Sequence, residues 1–581
     1  MLARRSRPVF RRLRALALLL LVVVSAVAAG NQELDRQLMA AAEKGDAQAA
    51  KALLEKGANP NARVPGTYLN YTPLLQAIRA DHLEVVRVLL DHAADAQLED
   101  EEMRTAVVYS AVPGKAPILK LLLERGVKID AKNSQGTTAL VQALADESKV
   151  DLQLLLDHGA DPNQRGKGGI TPLMIAARLS DDLATRALLK AGADVHARDD
   201  KGNTALLHAL DHYNQVNAMP LVDAGADIHA RNKDGENAFM LSIRSDESLA
   251  RLLLARGADV FARKSDGTTS LMMAVRSEAV ALAKRLLEVG VDVHATDKFG
   301  GTAAHSAAWL GPWTFNDEPE VLEREEAALA LLQLIRDAGA DLHARNAEGW
   351  TTLHYAAGPG SLANLTLLLA HGLDPNAVDK SGSTPLHVAA EAGKVSKAKR
   401  LLSRGAKVDL LDAGKRTPLT LALSNRDVEL VRLLLANNAS VALAGSSGTP
   451  PLLMVAPWFH ESAARSDRYI DLLTALVEKS EDLDARDHAG MTALMWVAAA
   501  DAPEIMEALL ARGAAIDQRG ADGRTALMWA AAAGADRAIT VLLARGADIS
   551  ARDGAGRTAA DWARIIGQPE AVALLGARES K

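Results

Sequence analysis

From residue 33 onward the chain repeats one short phrase of apolar and polar positions. In Thr384-Pro385-Leu386-His387-Val388-Ala389-Ala390-Glu391-Ala392-Gly393 the apolar residues recur at the spacing of a helix face. They follow a threonine suited to the N-cap and a proline at the first helical position, where a missing N–H is no loss. A second amphipathic run, Lys397 to Ser403, stops near Gly405, a residue type that takes the left-handed conformation ending many helices. Asp409 to Gly414 then turns the chain into the next copy. Each copy is predicted to be a helix pair with a turn, too small to bury its own apolar stripe, so the copies must stack.

Two independent markers carry the period. The glycine before a Thr-Pro/Ala-Leu unit recurs from Gly136 through Gly382, Gly414 and Gly448 to Gly556, mostly 33 residues apart. The glycine of a Gly-Ala-Asp element recurs from Gly57 to Gly546, with Ala93, Asn438 and Ser480 in the same slot. Together they mark fifteen units, and the tail from Gly556 adds a sixteenth. The sequence resembles the ankyrin-repeat family, whose period is 33 and whose TPLHxA motif is met most closely by Thr384 to Gly393. Gly523 to Ala531 is a variant form. The resemblance runs from about residue 33 to 577. It implies an all-α solenoid of about 15–16 helix-turn-helix units, whose hairpin fingers and first helices line a concave face.

Departures from the period divide the chain further. A signal segment is expected at 1–28, an N-terminal cap at 33–62, repeats at 63–436 and 437–556, and a C-terminal cap at 557–577. Gly300 and Gly349 stand 49 apart, which places an insertion near 311–326, and a second falls near 457–468. Both carry aromatic residues, Trp313 and Phe315 in one, Trp458 and Phe459 in the other. Between partner contact and local bracing the sequence does not choose. The weak joint at Asn437 to Gly448 predicts a hinge.

Composition adds exclusions. Seven Trp, six Tyr and six Phe in 581 residues require thin layers closed by leucine and alanine, and zero cysteines remove disulfides, thiolate metal sites and thiol catalysis. The net charge is −7, but residues 1–29 hold six arginines and no acid, so the remaining 60 basic and 73 acidic residues leave a body at −13. That balance argues against nucleic-acid binding, which rests on a basic face. The arginines precede an apolar run from Ala15 to Val24 and an Ala-x-Ala site ending at Ala28, the layout of a cleaved secretory signal. An uncleaved anchor is the rival, although the apolar run from Ala15 to Ala29 is shorter than the ~20 residues a span needs. A periplasmic or secreted destination is therefore expected.

Candidate chemistry is sparse. There is no HExxH, GxxxxGK[ST], GxSxG or CxxC, and the contiguous His460, Glu461 and Ser462 do not make a triad. The finger from Ala230 lacks acids at the first and twelfth calcium positions. Histidines recur at two slots (His196, His229, His294, His343; and His305, His354, His387), but copies ~10 Å apart cannot share a metal at ~2.1 Å, so hydrogen bonding within and between units is expected. No catalytic residue, metal or cofactor is expected. Trp496, Trp529 and Trp562 share one first-helix slot, as aromatic anchors or as packing. Arg198, Arg231 and Arg263 head a finger series that could seat an anionic partner, unless acids such as Asp199, Asp487 and Asp553 neutralise it. These residues point to a monomeric, non-enzymatic scaffold that binds a protein partner through its concave face and loops. A host-directed effector and an envelope scaffold on an uncleaved anchor are the alternatives.

Overall fold

The computed structural model describes residues 31–63, 70–245, 247–311, 319–445, 448–460 and 467–579. The expected leader, Trp313 and Phe315 lie outside the described residues. Within them the backbone is helices and turns, with one isolated bridge between Arg231 and Asn237. No described helix is long and apolar enough to cross a membrane.

The chain separates into two compact units, Met1–Asp266 and Gly267–Lys581. Among the described residues the first holds seven helix pairs, from 31–44 with Ala47–Glu55 to Ala238–Ser245 with Glu247–Ala255. The second holds nine, from Ser270–Arg276 with Val280–Val289 to Ala559–Ile566 with Pro569–Glu579. In each unit a first helix packs on its own second helix and on the first helix of the next repeat, as Ala526–Ala533 does on Asp536–Ala544 and Ala559–Ile566. The layers close on small and branched aliphatics: Leu386, Ala389, Ala390, Ala398 and Leu401 of one repeat are all fully buried. This all-α repeat stack is the one the period predicts.

Local chemistry sets each element. The threonine before a first helix accepts the N3 amide, as Thr384 does from His387 at 3.3 Å and Thr72 from Leu75 at 3.3 Å. In the repeat after Gly235 the buried Asn237 takes over this cap, accepting from Met240 at 3.0 Å. Most second helices end on a left-handed residue, and where glycine is missing Ala93 and Asn438 still adopt φ of 61°, though Ser480 does not. Ala439 donates to Leu434 at 3.0 Å, so the weak joint at Asn437 to Gly448 begins from an ordinary cap inside the second unit.

One turn residue differs from the sequence reading. Gly414 lies a position early, and Lys415, with φ of 57°, occupies the left-handed slot that Gly382 fills one repeat before. Lys415→Gly removes the Cβ clash of that conformation and is expected to raise stability by about 0.5–1 kcal/mol. A lowered thermal midpoint would contradict this. The first insertion is also partly helical: Pro319–Asp337 runs 19 residues against 10 for Val280–Val289.

Candidate partner-binding cleft

Most fingers are folded around one Asp or Asn, with Gly166, Lys264 and Gly520 among the exceptions. Asp379 Oδ1 accepts the amides of Ser381 and Ser383, both at 2.8 Å, and Asn346 Oδ1 those of Glu348 and Trp350, both at 2.9 Å. The remaining side-chain atom of Asp379 accepts from the Trp350 indole at 2.9 Å, whereas in several other fingers it reaches the first helix nine residues on. Asp199 meets His208 Nε2 at 2.9 Å, Asn346 donates to the Tyr355 hydroxyl at 2.9 Å, and Asp487 and Asp553 accept from Trp496 and Trp562 at 2.8 and 3.0 Å. Burial would raise the Asp199 pKa, but hydrogen bonds from Asn203 and His208 outweigh it and hold the group below its ordinary range. Asp199, Asp487 and Asp553 are therefore committed to their own turns and rings, and are not the neutralising partners of the arginine series.

The tryptophan slot is a set of internal contacts. Trp562 is 7% exposed, and the Arg524 guanidinium lies 3.5 Å from its ring centre and 4.6 Å from that of Trp529. The buried Trp529 indole N–H alone in this slot has no acceptor, because Gly520 stands where its neighbours have Asp487 and Asp553. A Cβ at Gly520 would meet nothing nearer than 3.4 Å, and the residue does not have positive φ. Gly520→Asp should supply the missing acceptor, stabilising the C-terminal repeats by about 1 kcal/mol. Unfolding followed by the fluorescence of these tryptophans should shift to higher denaturant; an unchanged midpoint would count against the bridge.

A cleft of about 450 Å³ opens in the second unit between the fingers and first helices around Gly300 and Gly349. Phe299, at a fingertip, is 62% exposed, and Trp309 and Tyr355 are half-buried beside it. Tyr355 stands edge-on to Trp350 and His305, with ring centres 5.2 and 5.5 Å away. Its hydroxyl accepts from Asn346 and is kept protonated, since burial pushes its pKa up. Arg276 donates to Ser306 at 3.2 Å and lies 3.4 Å from Asp297, while Lys298 rests 4.9 Å from the Phe299 ring centre. The cleft is thus aromatic, with its charges balanced locally.

Its floor is held from below. The Gly358-Pro359-Gly360 turn abuts the end of helix Ala303–Trp309: Ser361 donates to Leu310 at 2.9 Å and Asn364 to Ala307 at 3.0 Å. Lys397, only 7% exposed, donates its Nζ to Gly358 at 2.5 Å and to Gly360. Burial pulls its pKa down to about 8.

A family model described as ankyrin repeats in three copies matches residues 15–100, 93–166, 148–232, 212–297, 324–412 and 459–553, and a single ankyrin-repeat model matches 414–445. The chain belongs to the ankyrin-repeat family. No curated protein matches it. Ankyrin repeats form protein-interaction scaffolds, and the matched ranges leave 298–323 and 446–458 outside. Phe299 and Trp309 of the cleft fall in the first of these stretches, and Trp458 in the second.

The structure separates the residues singled out from sequence. Trp313, Phe315 and the Phe459 side chain lie outside the described residues. Trp458 is 7% exposed, edge-on to Tyr469 with ring centres 5.9 Å apart, and the Arg426 guanidinium lies 5.4 Å from its ring centre. Trp496 and Trp529 are half-buried, and Trp562 is buried. Arg198, Arg231 and Arg263 are exposed; Arg198 donates to carbonyls of Gly202 and Arg231, and Arg231 pairs with Asp259 at 2.5 Å. His305, His354 and His387 use both ring nitrogens, within and between repeats, and among the described residues no group of three metal-ligating side chains is placed to hold an ion. Sequence reasoning missed Phe299, Trp309 and Tyr355. The one available signal was Phe299 itself, an aromatic at a fingertip whose counterparts include Lys201, Asp234, Glu348 and Ser381.

Proposed function

We propose that this ankyrin chain is a non-catalytic scaffold, exported to the periplasm or beyond, that captures a protein partner through the Phe299–Trp309–Tyr355 cleft. The carrying observation is an exposed aromatic fingertip beside a cleft that repeat stacking does not require. Phenylalanine, tryptophan and tyrosine present large apolar area with few rotors to freeze, which suits them as anchors. Export rests on the arginine-rich leader, its apolar core and the Ala28 site.

The test is cross-linking of the mature protein in its native compartment, comparing wild type with Phe299→Ala/Trp309→Ala. The variant should lose at least about tenfold of the captured partner while its thermal midpoint stays within about 2 °C. Equal capture by both proteins would remove the cleft from the interface. N-terminal sequencing of the soluble fraction should begin near residue 29; a full-length chain in the membrane pellet would instead favour the anchored reading.

A further inference from the structure

We propose that Lys132, Arg165 and Arg198 form a cationic track on the first unit that binds an acidic helix of a partner protein, one carboxylate to each rung. The three residues stand 33 apart, on successive fingers, and all are exposed. Their head groups are held in register by the backbone: Lys132 Nζ donates to the Arg165 carbonyl at 3.0 Å, Arg165 Nη1 to that of Arg198 at 2.9 Å, and Arg198 Nη1 to that of Arg231 at 2.7 Å. A side chain so placed has little freedom left to lose on binding.

No salt bridge among the described residues closes this row, although Asp130 stands near enough to Lys132 to feel its charge. Among the described residues no carboxylate lies within 4.0 Å of Lys132, Arg165 or Arg198, whereas the next rung, Arg231, is closed by Asp259. The nearby finger acids are engaged by backbone: Asp130 accepts the Asp161 amide, Asp161 that of Asn163, and Asp194 that of His196. Each guanidinium has five N–H donors, and the carbonyl bonds use only Nη1, so Nε and Nη2 remain for a carboxylate fork. Stacking alone calls for a single neutral donor per finger; three consecutive cations that form no salt bridge leave their outer faces open to an anion from outside.

Geometry narrows the anion. Successive repeats are ~10 Å apart, and seven residues of an α-helix advance ~10.5 Å while returning to the same face. A helix with Glu at i, i+7 and i+14 therefore meets all three rungs. An extended strand reaches the same distance in three residues, but alternates its faces. Nucleic acid is disfavoured by the body charge of −13 that remains once the six leader arginines are set aside.

The experiment titrates the full chain, at low salt, with a synthetic helix carrying Glu at those positions, with its Gln counterpart, and with a DNA duplex of similar length. The Glu helix should bind at least about tenfold tighter than the Gln helix, and the advantage should shrink as salt is raised. Lys132→Gln/Arg165→Gln/Arg198→Gln, which keeps an amide donor and removes the charge, should abolish the advantage. Arg165→Lys/Arg198→Lys should retain most of it, and Phe299→Ala/Trp309→Ala all of it, because the track does not depend on the cleft. Equal binding of the two helices, tighter binding of DNA, or an unchanged advantage in the Gln variant would each overturn the proposal. The comparison of probes stands even if that variant fails to fold.

Discussion

Gly360→Ala is expected to destabilise the cleft-bearing repeats by about 3 kcal/mol or more. A Cβ at Gly360 would sit 2.1 Å from the Ala308 carbonyl oxygen and 2.6 Å from Ala356 Cα. Both obstacles are backbone at the ends of helices, so no rotamer change relieves them, and overpacking of a closed contact costs at the upper end of the usual range. Separation would also strain the Ser361–Leu310 bond and the Lys397 bond to Gly360. Hydrogen exchange at 303–311 and 352–365 should accelerate together, with Trp309 and Tyr355 losing their fixed places. Gly576→Ala is the control: nothing lies within 4 Å of its added Cβ, so a helical alanine there should be neutral or mildly stabilising. If both substitutions behaved alike, the turn would not be a close approach.

Acid should weaken the same repeats. His305, His354 and His387 are 3%, 0% and 1% exposed, and each Nδ1 accepts the amide of the preceding N-cap threonine while Nε2 donates to a carbonyl of the next repeat. Burial disfavours the imidazolium, and all three pKa values lie below the ordinary histidine value. Between that lowered value and ~6.5 the unfolded chain holds protons that the native chain does not, so stability is full above ~6.5 and falls as pH drops. The slope is bounded by about 1.4 kcal/mol per pH unit for each ring. Denaturant unfolding at pH 7.5 and 5.5 should show it. The triple His→Gln variant should flatten the profile, because glutamine at N3 still reaches back to the N-cap amide and does not titrate. A wild-type profile flat down to pH 5.5 would show that these rings are not held neutral.

The repeat architecture was legible because stacking asks for the same residue types at every 33rd position. Threonine caps, helix-face leucines and alanines, and left-handed glycines can be read without a structure. The cleft was not legible, because its parts break the pattern singly. Lys397 reads as a surface charge on an amphipathic helix, yet the short turn after Gly358 draws it inward to satisfy two carbonyls. Gly360 looks like one more loop glycine, and only the neighbouring helix end shows why no larger residue fits. The arginine series was visible but its individual bonds were not: Arg198 reaches carbonyls of Gly202 and Arg231, while Arg231 pairs with Asp259.

The histidine rungs also carry a mechanical meaning. In several other repeats the same N3 slot holds methionine; Met174 and Met495 offer sulfur to the threonine amide at 3.4 and 3.5 Å, but have no second donor to reach the following finger. From Thr302 to Arg416, three successive imidazoles each tie one repeat to the next. Drawn out by its ends, the chain should release its methionine-capped repeats first. The laced segment that frames the aromatic cleft should come apart last, so that a partner held there keeps its seat while the flanking repeats give way under load.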